Sequence, residues 1–170
     1  KIPFSFYTEI VRRTVEEHPE VTPHFFSAPE IMKMCEVSGL TIKEVFIELK
    51  KAGQRTMPGG GSEILSNSVK AKISRFKPKN SVDQWTEVHK SAHDVGIYTT
   101  ATMMYGHLEK DIEIIETLDH IRKVQDEELQ YGNIRYDLGI VDTKLMELII
   151  SNCIKYFTRN FNSPHQPKRT

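Results

Sequence analysis

Cysteine is the scarcest informative residue of this chain: only Cys35 and Cys153 occur among 170 residues. Two thiols so far apart exclude a disulfide scaffold and make the cytoplasm the expected compartment. Neither has a partner at metal-ligand spacing, so each is expected to pack as a small hydrophobe. Net charge is also lacking. The 23 basic side chains balance 23 acidic ones, which removes the electrostatic case for a nucleic-acid or anionic-membrane partner. No apolar run approaches the roughly 20 residues of a membrane span, and the first residues show no signal-peptide pattern. An initiator Met is missing too: the sequence begins at Lys1 and reads as a truncated or processed product.

What remains is ordinary in bulk, 38% hydrophobic and 27% charged, enough for one soluble domain with a sizeable core. One stretch departs from the ordinary. Met57-Pro58-Gly59-Gly60-Gly61-Ser62-Glu63-Ile64 places three glycines in a row ahead of a helix-like segment. Glycine loses the most backbone freedom on folding, so such a run suits a left-handed turn or a close approach of backbone to a ligand. It lacks the Gly-Lys-Ser/Thr end of a phosphate-binding P-loop.

Around it the chain alternates. Phe6, Ile10, Val11 and Val15 give residues 5–17 a helical face, closed by Pro19. Val21 to Phe26 is β-branched and aromatic and reads as a buried strand. Ser27 with Glu30, and Thr41 with Glu44, have capping-box spacing and start two further helices that end near Gly39 and Gly53. Residues 54–57 form a short strand candidate. A helical stretch follows around Val69 and Ile73, and then a basic connection through Lys77 and Lys79. Ser81 opens a helix that carries Trp85, Val88 and Ala92 and stops at Gly96. Residues 97–105 read as a third strand with an exit loop at Gly106-His107-Leu108-Glu109. From Asp111 to Glu128, Ile112, Ile115, Leu118, Ile121 and Val124 recur at helical spacing. Alternation of this kind argues for parallel βα units whose sites lie in the loops after the strands. Sheet and barrel closures both satisfy the pattern.

Seven histidines raise the question of a metal site. His89 and His93 lie four apart on one helix, but Lys90, Ser91 and Ala92 between them supply no carboxylate, and helix packing or solvation is the simpler reading. His24 at a strand end and His107 in an exit loop are better placed for a site. Adjacent Met103 and Met104 point to opposite faces of a strand, so one of them at most faces a pocket.

Several ordered phrases together resemble the radical S-adenosylmethionine enzymes of menaquinone and deazaflavin biosynthesis. They are the glycine string Met57 to Leu65, Thr99-Thr100-Ala101-Thr102-Met103-Met104-Tyr105-Gly106-His107-Leu108-Glu109, Phe25-Phe26-Ser27-Ala28-Pro29-Glu30-Ile31, Val37-Ser38-Gly39-Leu40, and Ile121 to Glu127. Within that group Thr99-Thr100-Ala101 looks most like the dehypoxanthine futalosine cyclase branch. The resemblance covers residues 1–127. It implies an incomplete (β/α) barrel of the radical S-adenosylmethionine type, about three or four βα units, with a divergent helical tail over 128–170.

The resemblance further implies a 5′-deoxyadenosyl radical made from S-adenosylmethionine at a [4Fe-4S] cluster, and a nucleoside-like substrate, dehypoxanthine futalosine for the cyclases. By the same resemblance Gly59, Gly60, Gly61, Glu63, Thr102, Met104, Gly106 and Glu109 are expected at the cofactor, and His24, Ser27, Glu30 and His107 at the substrate. No specific chemical role is assigned to any of them. The group holds its cluster with Cys-x3-Cys-x2-Cys, whose three thiolates leave the fourth iron open for the amino acid end of S-adenosylmethionine. These 170 residues contain no such triad. Lys1-Ile2-Pro3-Phe4 aligns well after that loop in the group, so this chain alone is expected to be inactive. Past Glu127 the resemblance stops. A helix over 142–157 and a disordered basic end are expected there.

Overall fold

A computed structural model describes residues 2–61, 64–74, 80–106 and 108–130. Helix α1 (Phe4–Glu17) buries Val11 and ends as His18 leaves helical geometry ahead of Pro19. Its outer side is laced by exposed pairs, Arg12 Nε donating to Glu9 at 2.9 Å and Arg13 Nε to Glu17 at 2.8 Å. Pairs this exposed are screened by solvent and add little to stability. They keep the helix soluble more than they hold the fold.

Helices α2 (Ala28–Ser38) and α3 (Ile42–Ala52) start where the capping boxes place them. Thr41 Oγ1 accepts from the Glu44 N–H at 3.3 Å, while the Glu44 carboxylate accepts from the Thr41 N–H at 2.8 Å. Gly39 and Gly53 close both helices in left-handed conformations. Strand β1 (Thr56–Met57) leads into the glycine run, and α4 (Asn67–Ile73) and α5 (Val82–Asp94) follow. Strand β2 (Tyr98–Thr99) then precedes α6 (Asp111–Gln130).

The two strands are parallel, with Thr56 opposite Tyr98 and Met57 opposite Thr99. The ladder is short: the Tyr98 N–H donates to Arg55 O and the Thr100 N–H to Met57 O, each at 3.0 Å. A single parallel bridge joins His24 to Thr56. Three successive strand positions therefore lie side by side in chain order, separated by helices that complete the crossovers. Gln54 locks the first to the second. Its fully buried side chain donates from Nε2 to Phe25 O at 2.8 Å. One apolar cluster sits beneath, formed by Ile31 and Met34 of α2, Val45, Phe46 and Leu49 of α3, Met57 of β1, and Trp85 and Val88 of α5.

The helices fall where the spacing puts them, and the strands are shorter than expected. Residues 21–26 contribute one bridge rather than a buried strand, and Val21 is 47% exposed. Residues 100–105 run on from β2 without regular structure. β-branched composition marks a chain able to extend, but a ladder also needs a partner strand lying alongside. The described residues thus form parallel βα units around a two-stranded sheet with one added bridge, not a closed barrel. Cys35 is half-buried rather than buried, packed against the cluster edge. Helix α6 continues through Gln130, and the tail expected over 142–157 lies outside the described residues. No described helix is long and apolar enough to cross a membrane.

Burial separates the structural phenylalanines. Truncating fully buried Phe46 to Ala is expected to cost about 3–5 kcal/mol, while Phe6→Ala, half-exposed on α1, should cost within about 0.5 kcal/mol. Urea unfolding followed by circular dichroism distinguishes the two. Equal losses would mean that Phe6 is packed into the core.

Candidate functional site

The segments leaving the three strand positions meet at the glycine run. The Gly59 N–H donates to Thr100 Oγ1 at 2.7 Å, and Thr102 Oγ1 donates back to Gly59 O at 3.1 Å. A Cβ on Gly59 would lie 2.3 Å from Thr100 O and 2.6 Å from Ala101 Cα. No side chain fits there. The second glycine faces Ser27, whose Cβ stands 3.4 Å from the position of an added Cβ. Gly61 takes φ +90, and an added Cβ would fall 2.7 Å from Pro29 Cγ. Each glycine thus lets backbone pass against a neighbouring exit segment, Gly59 against β2's and Gly60 and Gly61 against the N-terminus of α2.

The first exit is constrained as well. Phe26 holds φ +62, a left-handed conformation that costs a bulky residue, and it turns the chain between His24 and Ser27. Thr56 Oγ1 donates to Pro23 O at 3.0 Å and lies 2.9 Å from His24 Nδ1. With its one hydroxyl hydrogen committed, Thr56 accepts from His24. His24 Nδ1 therefore carries a hydrogen, and Nε2 lies at the far edge of this exposed ring. Ser27 and Glu30 close on each other: the Glu30 carboxylate accepts from the Ser27 N–H at 2.8 Å and from its hydroxyl at 2.7 Å.

Beyond Thr102 the chain opens to solvent, with Met104, Tyr105 and Leu108 exposed. Glu109 closes a turn by accepting from the Gly106 N–H and, at 3.1 Å, from the Leu108 N–H. An added Cβ on Gly106 would meet nothing within 4 Å. Its φ of +92, rather than crowding, is what favours glycine there. Of the residues expected at a site, the structure brings Gly59, Gly60, Gly61, Ser27 and Thr102 together. His24 lies on the same exit as Ser27. Met104, Gly106 and Glu109 lie further along the segment that Thr102 begins. Glu63 and His107 fall outside the described residues.

Two side chains at the site carried no signal in the sequence. Lys70, 7% exposed on α4, donates from Nζ to Gly61 O. Asn80, 2% exposed, places Oδ1 3.1 Å from where a Gly61 Cβ would be. A lysine on a short helix reads as solvated until the fold shows what lies under it. From the far side, α6 ties down the segment after the glycines: the Leu65 N–H donates to Thr117 Oγ1 at 2.9 Å and Ser66 Oγ to Glu113 at 3.1 Å.

Behind β2, His89 and His93 of α5 are packed inside rather than solvated, 2% and 8% exposed. His89 Nδ1 and His93 Nε2 each lie 2.8 Å from Thr99 Oγ1, and the His89 ring stacks on Trp85 with centroids 3.9 Å apart. Burial pushes the imidazoles down to about 3 for His89 and about 4 for His93, because an apolar surround disfavours the charged form. No group of three metal-ligating side chains converges among the described residues.

These depressed values make folding pH-dependent in one direction. Above about pH 6.5, the unfolded-state value, both rings are neutral whether folded or not. As pH falls from there toward 4, the unfolded chain takes up protons that the folded chain refuses, so stability declines. His120, also lowered by burial, adds to the same slope. The expected result is a melting temperature that falls between pH 6.5 and 4.5, above the range of the paired carboxylates, with a shallower slope in His93→Gln. A flat wild-type profile over that window would contradict the burial of the pair.

Comparison with known proteins returns no matching family model but finds related sequences. The chain is 42% identical over 127 residues to the aminodeoxyfutalosine synthase of Thermus thermophilus, covering 75% of this chain and 34% of that protein. It is 43% identical over 122 residues to a 5-amino-6-(D-ribitylamino)uracil–L-tyrosine 4-hydroxyphenyl transferase of Methanosarcina barkeri, covering 72% and 32%. With the cyclic dehypoxanthine futalosine synthase of Halalkalibacterium halodurans it shares 38% identity over 122 residues, covering 72% and 32%. The chain spans about a third of the length of these curated relatives. Over about three quarters of its own length it is a homologue of the radical S-adenosylmethionine enzymes that its motifs resemble.

Proposed function

We propose that these residues form the part of a radical S-adenosylmethionine enzyme that receives the adenosyl group and a futalosine-type nucleoside. The single observation that carries the reading is the clasp of Gly59 with Thr100 and Thr102. It sets two strand exits edge to edge, where the C-terminal ends of parallel strands bind ligands. The donor set suits such a group: backbone amides and hydroxyls for ribose oxygens, and the exposed thioether of Met104 and ring of Tyr105 for a base face. In this reading Gly59, Gly60, Gly61, Glu63, Thr102, Met104, Gly106 and Glu109 serve the cofactor, and His24, Ser27, Glu30 and His107 the substrate. In this class the bound cofactor supplies a 5′-deoxyadenosyl radical.

An iron–sulfur cluster does not fit the thiols present. Cys35 stands alone on α2, and burial raises its thiol above the usual range, which disfavours the thiolate that a cluster needs. No step through a cluster follows from these residues. What they do is bind and orient. His24 presents an oriented imidazole at the first exit, and Thr102 and the glycine turn fix the position of the second and third.

For the reaction itself we propose cyclisation of dehypoxanthine futalosine, on the Thr99-Thr100-Ala101 phrase. Aminodeoxyfutalosine synthesis is the second reading, favoured by 42% identity to that synthase against 38% to the cyclase. Isothermal titration of the chain with S-adenosylhomocysteine, dehypoxanthine futalosine and aminodeoxyfutalosine tests them. Binding of the homocysteine analogue in the micromolar-to-millimolar range is expected (about 1 μM–1 mM, as for ordinary substrates), with one nucleoside preferred. Gly59→Ala should abolish it and cost about 1–3 kcal/mol of stability through the carbonyl clash. Absence of any adenosyl binding by a folded wild-type chain would refute the proposal.

A further inference from the structure

The buried histidine pair is absorbed by neither the core nor the proposed binding groups. Its geometry is unusual in one respect: both rings converge on the same hydroxyl, Thr99 Oγ1, at 2.8 Å. Their other ring nitrogens, His89 Nε2 and His93 Nδ1, are buried and have no partner, and neither has the Trp85 Nε1–H beside them. Unpaired buried polar atoms destabilise a fold, and an apolar filler would pack the space behind β2 without that penalty. An aliphatic side chain has no directional hold on a hydroxyl. Two imidazoles do.

Thr99 is the last residue of β2, and its neighbour faces the other way, as strand geometry demands. Thr100 donates its N–H to Met57 O at 3.0 Å and accepts the Gly59 N–H on its own hydroxyl at 2.7 Å. The two threonines therefore join two layers: Thr99 is fixed to α5, and Thr100 to the glycine turn. A rotation of the 99–100 peptide would break both at once. Places where a fold keeps a local cost are where function is expected.

We infer that His89 and His93 are positioning residues, which hold Thr99 so that Thr100 presents its hydroxyl to Gly59 and fixes the turn that receives the ligand. This rests on the adenosyl-binding reading for its ligand readout only. The substitution that isolates it is Thr99→Val, which keeps the shape and removes the hydroxyl, with Thr99→Ser as the conservative rescue.

Measured on the whole chain by amide exchange, Thr99→Val should speed exchange at Gly59 and Thr100 by about tenfold or more, as local opening, and leave Val45 and Leu49 of α3 unchanged. Thr99→Ser should restore slow exchange at both. S-adenosylhomocysteine affinity should fall about tenfold in the valine variant, a tenfold change being 1.4 kcal/mol, and recover in the serine variant. If Thr99→Val does not fold, His93→Gln is read in the same way. Wild-type exchange rates at Gly59 and Thr100 in the valine variant would overturn the inference, as would uniform acceleration across α3. Failure of the wild type to bind the ligand, with the exchange pattern as stated, would sink the adenosyl reading and leave the positioning role standing.

Discussion

The site depends on one steric fact, the passage of the Gly59 backbone against Thr100 and Ala101 at a distance where no Cβ can stand. Two hydrogen bonds across that contact, one in each direction, extend the pairing of β1 with β2 past the point where the ladder ends. A two-residue ladder is marginal by itself, since isolated pairs of strands are hardly stable in water. The contact works because both sides are held from behind. The core cluster, Gln54 and α6 fix the β1 side, while α5 fixes the other. Removing the glycine's freedom would therefore shift two exits and not one.

How much of this was legible in the sequence varies with the range of the interaction. Capping boxes at Ser27 and Thr41 involve residues three apart, and the structure forms both with the expected donors. Helical periodicity likewise placed α5 and α6 to within a residue or two. The strands were harder. Val21 to Phe26 has the composition of a strand, but its one ladder partner among the described residues is Thr56, bridged to His24. Pairing is decided by what lies alongside, which composition does not encode. Lys70 is the clearest omission: its helix gives no reason to bury an amine, and only the approach of Gly61 O does. The histidine pair was visible as a spacing, but its target, Thr99, lies six and ten residues away across a turn.

Glu30 shows how one residue meets two demands. Its carboxylate is at the N-terminal end of α2, where the helix dipole favours negative charge, and it takes both hydrogens that Ser27 offers. That arrangement accounts for the residue without any ligand. It also points the Ser27 side of the helix at Gly60, so the cap that starts α2 also shapes one wall of the candidate site. The same economy appears at Glu113, which caps its own helix through Lys110 and reaches Ser66 beyond the glycine run.

These relationships bear on what a chain about a third the length of its curated relatives can contribute. Radical generation needs thiolates at iron, and the one described thiol is held protonated by its surroundings. Ligand orientation needs something else: a rigid rim whose hydroxyls and amides are already committed in direction before anything binds. The described residues supply that in Thr56, which orients the ring of His24, and in Thr100, which fixes Gly59. Preorganised groups bind with less ordering cost than mobile ones. In the proposed reading the orienting groups are those built into the strand exits.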